Sequence, residues 1–308
     1  MTLQQLEYIV AVDKFKSFVQ AADACNVTQS TLSSLIQKLE NELDIVIFDR
    51  KSRPIRTTDI GEQMVTQAKI ALFNVRQMKE MVQSERLKNT GEINICITPT
   101  IAPYITPRMF KYLKENYPKV KIRAHEFTRD EAIEKLKRAE VDVAILSLPR
   151  NDDDLLEIPL YKERFVMYVS PKSSLYNKTE IDMQSMPRDH LWGLKEEVNL
   201  QRQVPEICDL ELEHSSVYEA GNIPTLMLIV DENGGFTTIP ELHVNLLREE
   251  YKKNVRPLVN PELHRTVSIF VRKDYVRERM LNIIAESIKH IIPEYMLDEH
   301  IKKFTIKL

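Results

Sequence analysis

Gln29, Ser30, Ser33, Ser34 and Gln37 are uncharged, hydrogen-bonding, and spaced to share one side of a helix. Groups of this kind read base edges, glutamine by pairing adenine and serine by donating or accepting. Arg50, Lys51, Arg53 and Arg56 follow closely and are of the type that meets phosphate. Two other sets bear on chemistry. Cys25, Cys96 and Cys208 carry thiols, but no paired spacing suggests a disulfide scaffold or a zinc knuckle. The seven histidines are scattered, and no H-x-x-x-H, G-x-S-x-G, P-loop or GxGxxG pattern occurs. With six glycines in 308 residues, a phosphate-cradling loop is not expected. These features favour a nucleic-acid reader over an enzyme.

The polar face needs elements to hold it. Ser17 is placed to cap a first helix, Phe18–Cys25, and Asn26-Val27 to make a tight turn. Thr28 then caps a second helix, whose Leu32, Ile36, Leu39 and Leu43 step by 4, 3 and 4 along one buried face. Serine and threonine do not help a helix form, so their presence on the opposite face argues for a task there. A strand over Ile45–Phe48 and a return over Pro54–Thr57 are expected, joined through residues 49–53. This sets the basic residues on a wing beside the recognition helix. Gln29, Ser30, Ser33 and Gln37 are the expected base-edge readers. Thr28, Thr31, Ser34, Arg50, Arg53 and Arg56 are expected nearer the backbone.

The ordered residues Leu6-Glu7-Tyr8, Phe18, Ala21-Ala22, Val27 to Ser33, Ile36, Leu39-Glu40, Leu43, Phe48-Asp49-Arg50, Thr57-Thr58 and Gly61 resemble the LysR-type transcriptional regulators. The chain departs from that pattern at Ser30, where the family usually has proline, and at Ser34-Leu35, where Arg-Gln is common. The resemblance implies a winged helix-turn-helix (residues 1–58), a long linker and dimerisation helix (59–90), and a two-lobed, periplasmic-binding-protein-like regulatory domain (91–308). The overall class is α+β with α/β lobes, lobe I being 91–163 with 265–308 and lobe II 164–264.

Composition sets limits on this reading. Net charge is −3, and residues 1–60 hold seven Lys/Arg against eight Asp/Glu. The positive patch is therefore local to the wing, and useful affinity for DNA should need two or more copies on one site. Residues 58–89 supply a means of pairing. Ile60, Met64, Ala68, Ala71, Val75, Met78 and Val82 step 4, 4, 3, 4, 3, 4, close to a heptad seam. Glu7 and Asp13 interrupt the early apolar residues, and no apolar run approaches membrane-spanning length, so a cytoplasmic setting is expected.

Beyond Glu92 the pattern alternates. Strands are expected at Ile93–Ile97, Val120–Ala124, Val141–Leu146, Phe165–Val169, Leu191–Leu194 and Thr266–Val271. Helices are expected at Met109–Asn116, Glu131–Ala139, Ile223–Glu232 and Tyr275–Ile292. The alternation predicts parallel sheets with helical crossovers. Thr98 and Thr100 lie where the first strand feeds a helix, a crevice position that favours an anion or polar effector. Thr128, Asn199, Arg202 and Arg265 complete the expected effector pocket.

Ile97 to Tyr104, Leu191 to Glu197, Leu200 to Gln203, Cys208, Gly234-Gly235, Ile239-Pro240 and Arg265-Thr266 are similar to the OxyR-like, peroxide-sensing branch of that family. In that branch a cysteine meets peroxide and then forms a disulfide with a second cysteine. Here Cys208 stands at the second position, but Val198 and Asn199 stand where the branch has histidine and the reactive cysteine, and Arg202 replaces a usual aspartate. Peroxide reduction needs a thiolate, and an asparagine amide cannot become one. The disulfide switch is therefore expected to be absent. The open alternatives are a fixed DNA-binding state, a small-anion effector, and a single-thiol sensor at Cys208. Double-stranded DNA and a second copy of the chain are the expected partners, with RNA polymerase and a small-molecule effector as further ones. No cofactor and no metal are expected.

Overall fold

The computed structural model describes residues 1–86, 90–147, 152–187, 190–193, 222–303 and 305–307. The chain divides into two compact units, residues 1–88 with 135–140, and residues 89–134 with 141–308.

In the first unit, α1 (Leu3–Phe15) begins on a reciprocal capping box between Thr2 and Gln5. A left-handed Lys16 ends it, and Ser17 caps α2 (Phe18–Ala24). Asn26, at φ 55°, turns the chain into α3 (Gln29–Leu43), capped by the Thr28 hydroxyl, which accepts the Thr31 N–H at 3.2 Å. Leu32, Ile36 and Leu39 are fully buried against Ile9 and Val12 of α1 and Ala21 and Ala22 of α2. Burial at about 1.5–3 kcal/mol per side chain offsets the weak helix propensity of the opposite face. Leu43 departs from the expected pattern and is 37% exposed. The helix ends there, because Asp44 adopts a left-handed conformation and Ile45 N–H bonds back to Glu40 O.

The wing hairpin is shorter than expected. Only β1 (Phe48–Asp49) and β2 (Arg56–Thr57) pair, antiparallel. The physical reason is Glu40. Its buried carboxylate accepts the N–H groups of Ile47 at 2.7 Å and Phe48 at 3.2 Å, so a side chain takes backbone donors that a ladder would have used. Next, α4 (Asp59–Arg86) leaves the wing through Gly61. A Cβ there would sit 2.1 Å from Ile47 O, so only glycine fits. Val65 and Ala68 of α4 join the core, whereas Ile60, Met78 and Val82 are exposed.

The second unit contains one mixed sheet, where the sequence pattern predicted parallel ones. β3 (Gly91–Ile97) pairs in parallel with β4 (Val120–Glu126) and β5 (Val143–Leu146). Between them lie α5 (Ala102–Asn116) and α6 (Arg129–Lys137). β6 (Leu155–Val169) is much longer than expected. Its first part pairs antiparallel with β10 (His264–Arg272), which also pairs antiparallel with β5. From Phe165 to Val169 it pairs instead with β8 (Phe236–Pro240), and β9 (Val255–Val259) flanks its other edge. β7 (Ile181–Asp182) pairs with β9 in parallel. The partner change falls where Glu163 and Arg164 stand opposite Arg265 and His264.

The remaining helices are α7 (Ile223–Asn233), α8 (Glu241–Val244), α9 (Glu249–Lys252), α10 (Glu278–Ile291) and α11 (Glu299–Lys303). α5 begins seven residues before the expected Met109 because Pro103 sits in its first turn, where no N–H is needed. Of the expected strand at Leu191–Leu194, only Leu191 makes a bridge, with Phe236, and Leu194 lies outside the described residues.

Candidate nucleic-acid interface

Thr28, Gln29, Ser30, Thr31, Ser34 and Gln37 are all exposed, and Ser33 is half-buried. Thr28 has a structural task as well as an exposed surface. Its hydroxyl bonds the Thr31 N–H and lies 3.0 Å from Ser30 Oγ and 2.8 Å from Thr31 Oγ1. Gln37 donates to Asn41 Oδ1 at 3.1 Å along the same face, which holds its amide in one orientation. One helix thus presents uncharged donors and acceptors to solvent, with Leu32, Ile36 and Leu39 anchoring its far side. Its width and chemistry match what a major groove admits.

On the wing, Lys51, Arg53 and Arg56 are exposed. Arg50, grouped with them from sequence, is exposed as well, but its guanidinium is engaged by side chains of the domain. Its guanidinium pairs with Glu40 Oε2 at 2.8 Å, donates to Ser33 Oγ at 3.1 Å, and sits 5.2 Å over the Phe18 ring. Phe18 meets the buried Phe48 edge-on at 5.9 Å. Glu40 was the residue that pattern reading left unassigned. A carboxylate on the apolar side of a helix, ten residues before an arginine, was the available signal.

The expected effector residues separate in the structure. Thr100 and Arg265 come together, with Thr98 nearby in sequence and buried. Arg265 donates to Thr100 Oγ1 at 2.8 Å and Thr100 O at 3.2 Å, and pairs with Glu163 through Nε at 2.8 Å and Nη2 at 2.7 Å. Leu242 N–H, in the first turn of α8, approaches the other Glu163 oxygen at 3.4 Å. This buried pair ties the loop before α5, the switching strands and α8 into one polar knot. His243 is buried beside it. Desolvation, and then the Arg265 charge, push the imidazole down to about 4, so it is neutral near pH 7. Thr128 stands elsewhere as the cap of α6, in a reciprocal arrangement with Glu131. Asn199, Arg202 and Cys208 lie outside the described residues.

Of the other two thiols, Cys96 is fully buried in β3, as a small hydrophobe would be. Cys25 is only half-buried at the end of α2, and burial, with Glu7 adding to it, pushes its thiol up. Cys25 is thus not activated as a thiolate. Among the described residues, no group of three His, Cys, Asp or Glu side chains is placed to hold a metal ion. No described helix is long and apolar enough to cross a membrane.

Comparison with known proteins agrees with this geometry. Residues 3–62 match the family "Bacterial regulatory helix-turn-helix protein, lysR family", and residues 87–290 match the "LysR substrate binding domain". The "Hydrogen peroxide-inducible genes activator" of Haemophilus influenzae is 31% identical over 301 residues, covering 95% of this chain and 99% of that protein. The "DNA-binding transcriptional dual regulator OxyR" of Escherichia coli K12 is 28% identical, covering 94% and 95%. Among solved structures, a full-length OxyR variant from Pseudomonas aeruginosa superimposes with TM-score 0.80 at 27% identity, over 97% of this chain and 98% of that one. A crystal structure of OxyR from Porphyromonas gingivalis gives 0.63 at 30% identity, over 68% of this chain and 96% of that one. The chain belongs to the LysR family of bacterial transcriptional regulators and is an OxyR-like, DNA-binding member of it.

Proposed function

We propose that this regulator binds its operator as a homo-oligomer and does so without a peroxide-driven disulfide switch. In this reading residues 1–58 contact DNA, the helix within 59–90 pairs two copies, and 91–308 form two regulatory lobes that meet at the β6–β10 switch. Gln29, Ser30, Ser33 and Gln37 face base edges, and Thr28, Thr31, Ser34, Arg53 and Arg56 lie nearer the phosphates. The observation that carries it is α3 itself, with three side chains fully buried on one face and the uncharged Gln29, Ser30, Ser34 and Gln37 exposed along the N-terminal part of the other, ahead of the exposed Lys38 and Glu42. The exposed Ile60, Met78 and Val82 on α4 support pairing of copies, because such side chains gain by leaving water. Membership of a family of transcriptional regulators supports a cytoplasmic setting and RNA polymerase as a further partner in this reading.

The independence from peroxide rests on Asn199, which offers no thiolate to attack an O–O bond. Mapping of protected promoter DNA with and without hydrogen peroxide tests it. Footprints should coincide, and a peroxide-dependent shift that Cys208→Ser abolishes would overturn the reading in favour of a single-thiol sensor. A second reading, a small-anion effector near Thr98, Thr100 and Arg202, is favoured by the arginine at position 202. Arg265 contributes less to it, because its bonds already go to Glu163 and Thr100. Calorimetric titration with candidate anions tests this reading. Absence of heat with any of them, and unchanged DNA affinity in Arg202→Ala, would dismiss it.

A further inference from the structure

Arg50 and Ser33 form a relay whose polarity is fixed by chemistry. Arginine has donors and no acceptor, so in the 3.1 Å contact Ser33 Oγ must be the acceptor. The same guanidinium is anchored by the buried Glu40 carboxylate, which also accepts two wing N–H groups, and by the Phe18 face. Ser33 has one hydroxyl hydrogen left, and among the described residues its side chain bonds Arg50 alone, so that hydrogen can point outward. A serine next to no cation can turn either way and read a donor or an acceptor. A serine that accepts from a guanidinium is a stronger donor and meets another N–H donor less well, because the cation repels it.

We infer that Arg50 is a positioning residue that makes Ser33 a specificity-determining donor, selecting a hydrogen-bond acceptor on the DNA. The chemistry it selects is purine N7, guanine O6 or thymine O4, over the amino groups of cytosine and adenine. Arg50 does this from within the protein. Its bonds to Glu40 and Ser33 fix the guanidinium beside α3, and in this reading the phosphate contacts are assigned to Arg53, Arg56 and Lys51. The inference rests on α3 being the helix that enters the groove.

The test is selection of bound duplexes from a randomised DNA pool by the full-length protein, followed by affinity measurements across salt concentrations on the enriched sequence. Ser33→Ala should lower discrimination at one base pair about tenfold, the upper end for one hydrogen bond between neutral groups. Arg50→Lys keeps the ion pair with Glu40 but shortens the reach, and should relax preference at that same base pair while leaving the salt slope unchanged. The double variant should be no worse there than either single one. Arg53→Gln should behave differently, weakening all sequences alike and lowering the salt slope by about 1. If Arg50→Lys instead lowers the salt slope and leaves the preference intact, Arg50 is a phosphate contact and the inference fails. If Ser33→Ala leaves every preference intact while Gln29→Ala and Gln37→Ala change theirs, the donor role fails but α3 remains the reader. If none of these variants changes any preference, the reading of α3 fails with it.

Discussion

Replacing Arg265 by methionine isolates the value of the polar knot at the strand switch. The substitution keeps most of the side-chain length while removing, among its contacts, two to Glu163 and two to Thr100. It leaves the Glu163 carboxylate in place at 1% side-chain exposure, with the Leu242 N–H at 3.4 Å as its remaining partner. Loss of one member of a buried pair costs about 3–5 kcal/mol, because the survivor keeps its desolvation penalty without its counter-charge. For a folding unit of roughly 200 residues, each kcal/mol moves the midpoint by about 2–4 °C, so the expected drop is about 6–20 °C. The sole tryptophan provides the assay. Trp192 belongs to the same unit, and its indole N–H donates to Gly234 O at 2.9 Å, so its fluorescence follows unfolding of that unit. The paired substitution Glu163→Met with Arg265→Met removes both charges and should recover most of the loss. A drop under about 1 kcal/mol for Arg265→Met, or a double variant worse than the single one, would refute the reasoning.

Further outcomes follow from other sites. His243 titrates at about 4 in the folded chain against an ordinary 6.5, so above pH 6.5 it affects stability little. As pH falls from 6.5 towards 4, the unfolded chain binds a proton that the folded one excludes, and about 3 kcal/mol of stability is lost; Trp192 melts should show this, and His243→Gln should flatten it. Gly61→Ala forces a methyl into Ile47 O and should cost about 3 kcal/mol in the first unit, measured by circular dichroism, with loss of operator binding in gel shifts. Thr28→Ala removes the cap of α3 and should cost about 1 kcal/mol, whereas Thr28→Ser should restore it.

How much of this was legible beforehand differed between the two halves. The helix-turn-helix was readable because its signals are local. A cap at Ser17, a turn at Asn26, a cap at Thr28 and a stepped apolar face all act within a few residues. The regulatory unit was read only in part. β4 and β5 alternate or run apolar cleanly, but Leu155–Arg164 of β6 includes Glu157, Pro159, Lys162 and Glu163, which blurs the strand period. Its strand character comes from pairing with β10, more than a hundred residues away. The sheet's antiparallel half was missed for the same reason, since strand direction is a property of partners and not of one strand.

The amino-acid sequence by itself determined that a short amphipathic helix would offer uncharged hydrogen-bonding groups, that a basic wing would follow, and that no thiol stands at position 199. Those are matters of side-chain chemistry and short-range spacing. Tertiary structure alone decided which charges are available. Arg50 looks like its neighbours Arg53 and Arg56 in one dimension, yet its partly exposed guanidinium bonds Glu40 and Ser33 and lies over the Phe18 ring. Arg265 looks like a ligand for an anion, yet Glu163 already supplies one. An arginine's role depends on which acceptors lie within about 3 Å of its nitrogens, and that proximity is set by folding rather than by spacing along the chain.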